Sequence, residues 1–213
     1  MALASEQGFA FWVALGTILR GWALAEQGQG EKGIAQIRQG LAAYLATGQE
    51  VLRPYNLALL AAAYGKVGQA EEGLSALAEA LDAVGKTGER NYEAELYRLK
   101  GQLTLQKFQV SGSKFQVDNP QSAFRNPQSE AEECFLKAIE IARRQQAKSL
   151  ELRAAMSLSR LWQQQGKTEE ARQMLAKIYG WFTEGFDTKD LQEAKARLDS
   201  LGSSVKTSLG SSV

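Results

Sequence analysis

The sequence predicts an all-α protein, a right-handed solenoid of helix hairpins stacked side by side. Three observations carry that expectation. A turn glycine followed five places later by a small residue recurs, as Gly28 with Gly33, Gly68 with Gly73 and Gly166 with Ala171. Copies spaced about 40 residues apart are the signature of an array whose unit is a helix pair. Between these turns the apolar residues fall three and four apart, the period of one helical face, and no strand-like alternation interrupts them.

The turns divide the chain into hairpins at about 6–47, 51–85, 91–146 and 148–184, with a capping helix over 188–201. In the first, Phe11, Leu15, Ile18, Trp22 and Ala25 share a face, and Ile34, Ile37, Leu41 and Leu45 share the next. Pro54 falls in the first turn of the second hairpin, where its missing N–H does no harm. Leu57, Leu60, Ala61 and Tyr64 then face Leu74, Leu77 and Leu81, and the run Ala61-Ala62-Ala63 favours helix strongly. The third hairpin opens near Asn91 and resumes at Ser129, where Ser129 and Glu132 form a capping box ahead of Phe135, Ala138 and Ile139. The fourth pairs Met156, Leu158, Leu161 and Trp162 with Ala171, Leu175, Ile178 and Phe182. Asp187 caps the last helix, whose single stripe of Leu191, Ala194, Leu198 and Leu201 suits the end of an array.

Segment 110–128 breaks the period. Lys107-Phe108-Gln109-Val110 recurs as Lys114-Phe115-Gln116-Val117, and Asn119-Pro120-Gln121-Ser122 recurs as Asn126-Pro127-Gln128-Ser129. Removing the segment brings the spacing from Gly73 to Ala131 back to about 40 residues. It reads as a flexible inserted loop built from short duplications, a kind of insertion that costs little closure entropy; a loop with a role of its own is the alternative. Gly202-Ser203-Ser204-Val205 recurs as Gly210-Ser211-Ser212-Val213, and 202–213 reads as a disordered tail.

Composition narrows the function. The 213 residues carry a net charge of +1, which leaves no electrostatic footprint for nucleic acid or an anionic membrane. Histidine is absent, which removes the commonest general base, the usual zinc ligand and every Ser-His or Cys-His nucleophile. The one cysteine, Cys134, reads as a packed small residue. No apolar run reaches the ~20 residues of a membrane helix, and the start lacks the basic region of a secretory signal. The expectation is a cytoplasmic protein that is not an enzyme and has no catalytic residue, cofactor or metal.

Two motifs tempt and fail. Gly28-Gln29-Gly30-Glu31-Lys32-Gly33 matches GxGxxG, but a dinucleotide site needs a strand before it and here a helix precedes. Gly85-Lys86-Thr87 and Gly166-Lys167-Thr168 lack the earlier glycine of a phosphate loop, since Ala80 and Leu161 stand there. Both triplets read as interhelical turns.

The residue pattern resembles the tetratricopeptide (TPR) repeat. Gly21, Leu24, Gly28, Gly33, Ile37 and Gly40 follow its order of small, large and turn positions. So do Ala61, Tyr64, Gly68, Gly73, Leu77 and Ala80, then Ser159, Trp162, Gly166, Ala171, Leu175 and Ile178. In the third repeat Gly101, Ala131, Phe135 and Ala138 remain. The likeness covers about 30–185, and a period above the usual ~34 residues marks the long-helix class. Gly8-Phe9-Ala10-Phe11-Trp12 through Gly21-Trp22-Ala23-Leu24-Ala25 further resembles the carboxy-terminal array of bacterial ATPase/adenylate-cyclase-type signalling regulators. That resemblance implies a protein-binding scaffold in a bacterial signalling or regulatory protein; the alternative is a regulatory module sensing a small molecule.

In such arrays the first helices of successive repeats line a concave groove. The projected groove residues are Leu15, Ile18, Trp22, Tyr55, Arg98, Gln102, Arg153, Met156 and Arg160, with Ala25, Ala58, Ala62, Gly65, Glu95, Leu105 and Gln163 beside them. The groove would run from an apolar, aromatic end to a basic one and hold a protein or peptide, its acidic group meeting Arg98, Arg153 and Arg160. The competing reading pairs these arginines with neighbouring Glu95 and Glu151. At the amino end Phe9, Phe11 and Trp12 are expected to meet an upstream domain or a second copy.

Overall fold

The computed structural model describes residues 8–110 and 126–209, and every regular element among them is a helix. In chain order these are α1 (Ala10–Glu26), α2 (Gly30–Ala46), α3 (Arg53–Lys66), α4 (Ala70–Thr87), α5 (Glu93–Val110), α6 (Pro127–Arg144), α7 (Lys148–Gln164), α8 (Thr168–Tyr179) and α9 (Lys189–Leu209). They form two compact units, Met1–Asp118 and Asn119–Val213. The division between them falls inside the segment read as an insertion.

In the first unit each helix packs on the next, and α3 also packs on α1 and on α5. The core is one cluster that includes Ile18, Ile37, Tyr44, Leu57, Leu77 and Leu96. The second unit repeats the scheme: α6 on α7, α7 on α8, α8 on α9, with α7 also against α9. Its interior holds Phe135, Leu152, Leu158, Leu161, Leu175 and Leu201. Cys134 is buried and forms no disulfide, as suits a packing residue.

The recurring glycine motif has a physical cause at both of its positions. Gly28, Gly68 and Gly166 have φ of 82°, 81° and 80°, the left-handed region that ends a helix without a Cβ penalty. At each, the N–H of the following residue reaches back across the last turn: Gln29 to Leu24 O at 2.9 Å, Gln69 to Tyr64 O at 3.0 Å and Lys167 to Trp162 O at 2.8 Å. Five places on, the small residue lets two helices touch. A Cβ on Gly33 would lie 2.6 Å from Gly21 O and 2.8 Å from Ala25 N, so α1 and α2 cross backbone to backbone. The GxGxxG match is therefore a helix–turn–helix corner. The α6–α7 corner closes the same way with Gln146 at φ 56°, and Ala147 N–H reaches Ala142 O at 2.9 Å.

Several expected boundaries move. Helix α6 starts at Pro127, not at Ser129: the Asn126 side chain accepts from Gln128 N–H at 3.0 Å, and proline fits a first turn that needs no donor. Gly85-Lys86-Thr87 is the last turn of α4 rather than an interhelical turn, because the chain turns at Gly88 with φ 72°. Helix α8 stops at Tyr179, which leaves Phe182 in the following loop. The helix read as 188–201 runs from Lys189 to Leu209, with Thr188 rather than Asp187 before it. The helical backbone thus continues to Leu209, through much of the stretch read as a tail; 210–213 lie outside the described residues. The inserted segment also lies outside them over 111–125, whereas its ends complete α5 and open α6.

Candidate functional site

The sequence-projected groove falls on the first helices of the repeats: α1, α3 and α5 in one unit, α7 in the other. Five of its residues are interior instead. Ile18 is fully buried, packed where a Cβ on Gly40 would strike its side chain at 2.6 Å. Met156, Ala25, Ala58 and Glu95 are 3%, 3%, 1% and 5% exposed. Ile18 and Ala25 meet the hairpin partner α2 at Gly40 and Gly33, so they cannot line an open face.

In the first unit the open positions recur one repeat apart. Trp22 is 39% exposed, Ala62 is half-buried and Gln102 is exposed, and they occupy equivalent places on α1, α3 and α5. Leu15 and Tyr55 form a second, half-buried row, with the Tyr55 ring edge-on to Tyr92 at 5.0 Å. Polar bonds tie the first helices together: Lys66 to Glu26 at 3.1 Å, and Gln106 Nε2 donating to Gly65 O at 2.7 Å. Arg98 is engaged within its own helix. Its Nε and Nη2 both donate to Glu95 at 2.7 Å, and Nη1 donates to Gln102 at 2.6 Å.

In the second unit α7 and α9 are joined by charged contacts. Arg153 donates to Asp190 at 2.6 Å, and Arg160 lies 3.7 Å from Glu193. Arg197, on α9, donates to Ser159 O at 3.1 Å and to Ser159 Oγ at 3.3 Å. Burial and the nearby Arg160 charge both push the Arg197 guanidinium below its ordinary range. Arg197 escaped the sequence projection because α9 read only as a cap; its place one repeat after Arg160 was the available signal. Glu151 serves structure: burial would raise its carboxyl, but hydrogen bonds from Arg143 and Lys148 at 2.7 and 2.9 Å hold it lower on balance.

Among the described residues no cluster of three His, Cys, Asp or Glu could hold a metal ion, and no helix is long and apolar enough to cross a membrane. No family model and no curated protein matches the chain. Solved structures do match. A Podosopora anserina protein described as a kinesin light chain with nearly identical TPR-like repeats has a TM-score of 0.61 at 17% identity, covering 90% of this chain and 86% of that one. A variant of the same protein gives 0.62 at 16% identity, with the same coverage. At such identity the likeness defines the fold, and the chain is an all-α array of TPR-like helix hairpins.

Proposed function

We propose that this chain is a non-catalytic protein-interaction scaffold that binds an extended or helical peptide across the first helices of its repeats. The observation that carries the reading is the row Trp22, Ala62 and Gln102, three open positions held in register by bonds between first helices. Leu15 and Tyr55 would take apolar side chains of the ligand. The guanidinium of Arg98 keeps two N–H groups beyond those given to Glu95 and Gln102, enough to meet a carboxylate. The second unit, taken by itself, would offer Arg160 and Arg197, beside Arg153, to an acidic group of a ligand. A role in a bacterial cytoplasmic signalling protein rests on the resemblance of the Gly8–Ala25 stretch alone. The open face of α1 at Phe9 and Trp12 would meet a second copy or an upstream helical segment.

A fluorescein-labelled peptide alternating leucine and glutamate tests the acidic-group reading. Arg160→Ala with Arg197→Ala should weaken its binding about tenfold, the loss of a charge-assisted contact, with helicity unchanged by circular dichroism. Equal affinity in the double variant would sink that assignment. A small-molecule sensor is the second reading, favoured by an apolar recess of about 420 Å³ between α1 and α2, lined by Val13, Ala14, Thr17, Gly40 and Ala43.

A further inference from the structure

The loop joining α8 to α9 holds large aromatic side chains out of the core on an ordered backbone. Trp181 and Phe186 are 59% and 47% exposed. The backbone beneath them is pinned: Trp181 N–H donates to Ile178 O at 3.2 Å, Phe182 N–H to Tyr179 O at 3.1 Å, and Thr188 N–H to Gly185 O at 2.9 Å. Rings pack on rings, Trp181 edge-on to Phe182 at 5.3 Å and Tyr179 against Phe186 at 5.9 Å. Rigid exposed aromatics cost little entropy to engage, which is why they anchor interfaces.

The charges around the rings select the partner. Lys148 Nζ already sits 5.5 Å from the Trp181 centroid while it pairs with Glu151 at 2.9 Å, so the ring takes a cation in this protein. Glu184 and Asp187, exposed in the same loop, have no hydrogen bond or ion pair among the described residues. We infer that this loop is a docking surface for a basic segment of a partner protein. An arginine or lysine of that segment stacks on Trp181 or Phe186 while Glu184 and Asp187 take up its charge. An anionic membrane is disfavoured because the two carboxylates would face like charge. A symmetric second copy is disfavoured because the same carboxylates would face each other.

A fluorescein-labelled peptide alternating arginine and glycine, titrated into the full chain, is the test. Trp181→Ala should weaken binding about tenfold and Trp181→Phe should retain most of it. Glu184→Gln with Asp187→Asn should weaken binding about tenfold and flatten its salt dependence. Arg160→Ala with Arg197→Ala should leave it unchanged, which separates this surface from the face on α7 and α9. If Trp181→Ala loses helicity, the charge-neutralised pair decides. The inference is overturned if the aromatic and charge variants bind like the parent, or if a glutamate–glycine peptide binds as tightly. It is equally overturned if phosphatidylserine vesicles, or a Trp181-dependent dimer, occupy the loop instead.

Discussion

At Gly33 the backbones of α1 and α2 approach so closely that one methyl group has nowhere to go, since its nearest neighbours would be Gly21 O and Ala25 N. Backbone cannot rotate aside as a side chain can. Gly33→Ala should therefore cost about 2–3 kcal/mol, read as a lower urea midpoint. Gly85 is the opposite case. It lies inside α4, where an added methyl would meet nothing within 4 Å, so Gly85→Ala should stabilise by roughly 0.5–1 kcal/mol. The sequence marked Gly33 as small and helix-facing because the five-residue offset recurs. The pairing of Arg98 with Glu95 is the competing reading the sequence offered, whereas the pairing of Arg153 with Asp190 was out of its reach, because a charge does not carry its partner's address. Composition was equally silent on Ile18, whose burial follows from its contact with α2 at Gly40.

Among the elements, α7 shows electrostatics built into a helix start. Glu151 stands in its first turn, 3% exposed, gripped by Arg143 from α6 and by Lys148. Burial opposes its charge, yet the two cations lower its carboxyl overall. A carboxyl depressed in the folded state contributes stability that is complete above its unfolded pKa and disappears as pH falls through the folded one. Acid should thus loosen the α6–α7 corner below about pH 4. Glu151→Gln should cost about 1–3 kcal/mol at neutral pH and flatten the acid limb of a urea-midpoint profile; an unchanged limb would remove Glu151 from this role. Helix interiors were legible from their three-and-four spacing, but several ends were not. Ser129 looked like a cap, yet Asn126 and Pro127 supply cap and first turn three residues earlier, and side-chain geometry made that choice.

Across the molecule the two terminal helices differ in what they leave open. On α1, Trp12 is 60% exposed and Leu19 is 38% exposed, whereas Leu59, one repeat beyond Leu19, is 7% exposed under its neighbours. Phe11, by contrast, is packed on Tyr44 at 5.5 Å and offers less to a partner. Helix α9 turns Gln192, Glu193, Lys195 and Asp199 outward, a polar finish of the sort an array end needs. Sedimentation at increasing concentration should therefore show self-association that Trp12→Glu with Leu19→Glu abolishes. A parent chain that stays monomeric throughout would leave α1 to an upstream segment.

Repeat period, helix count per repeat and turn positions were all written locally, because a left-handed glycine and a close-contact small residue act within a few positions of themselves. The partners of Arg153 and Arg160, the pairing of Arg197 with Ser159 and the exposure of the loop aromatics were settled only when helices about one repeat apart came together. Those contacts depend on which faces meet across a packed interface, and no linear pattern along one helix encodes the side chains waiting on the other.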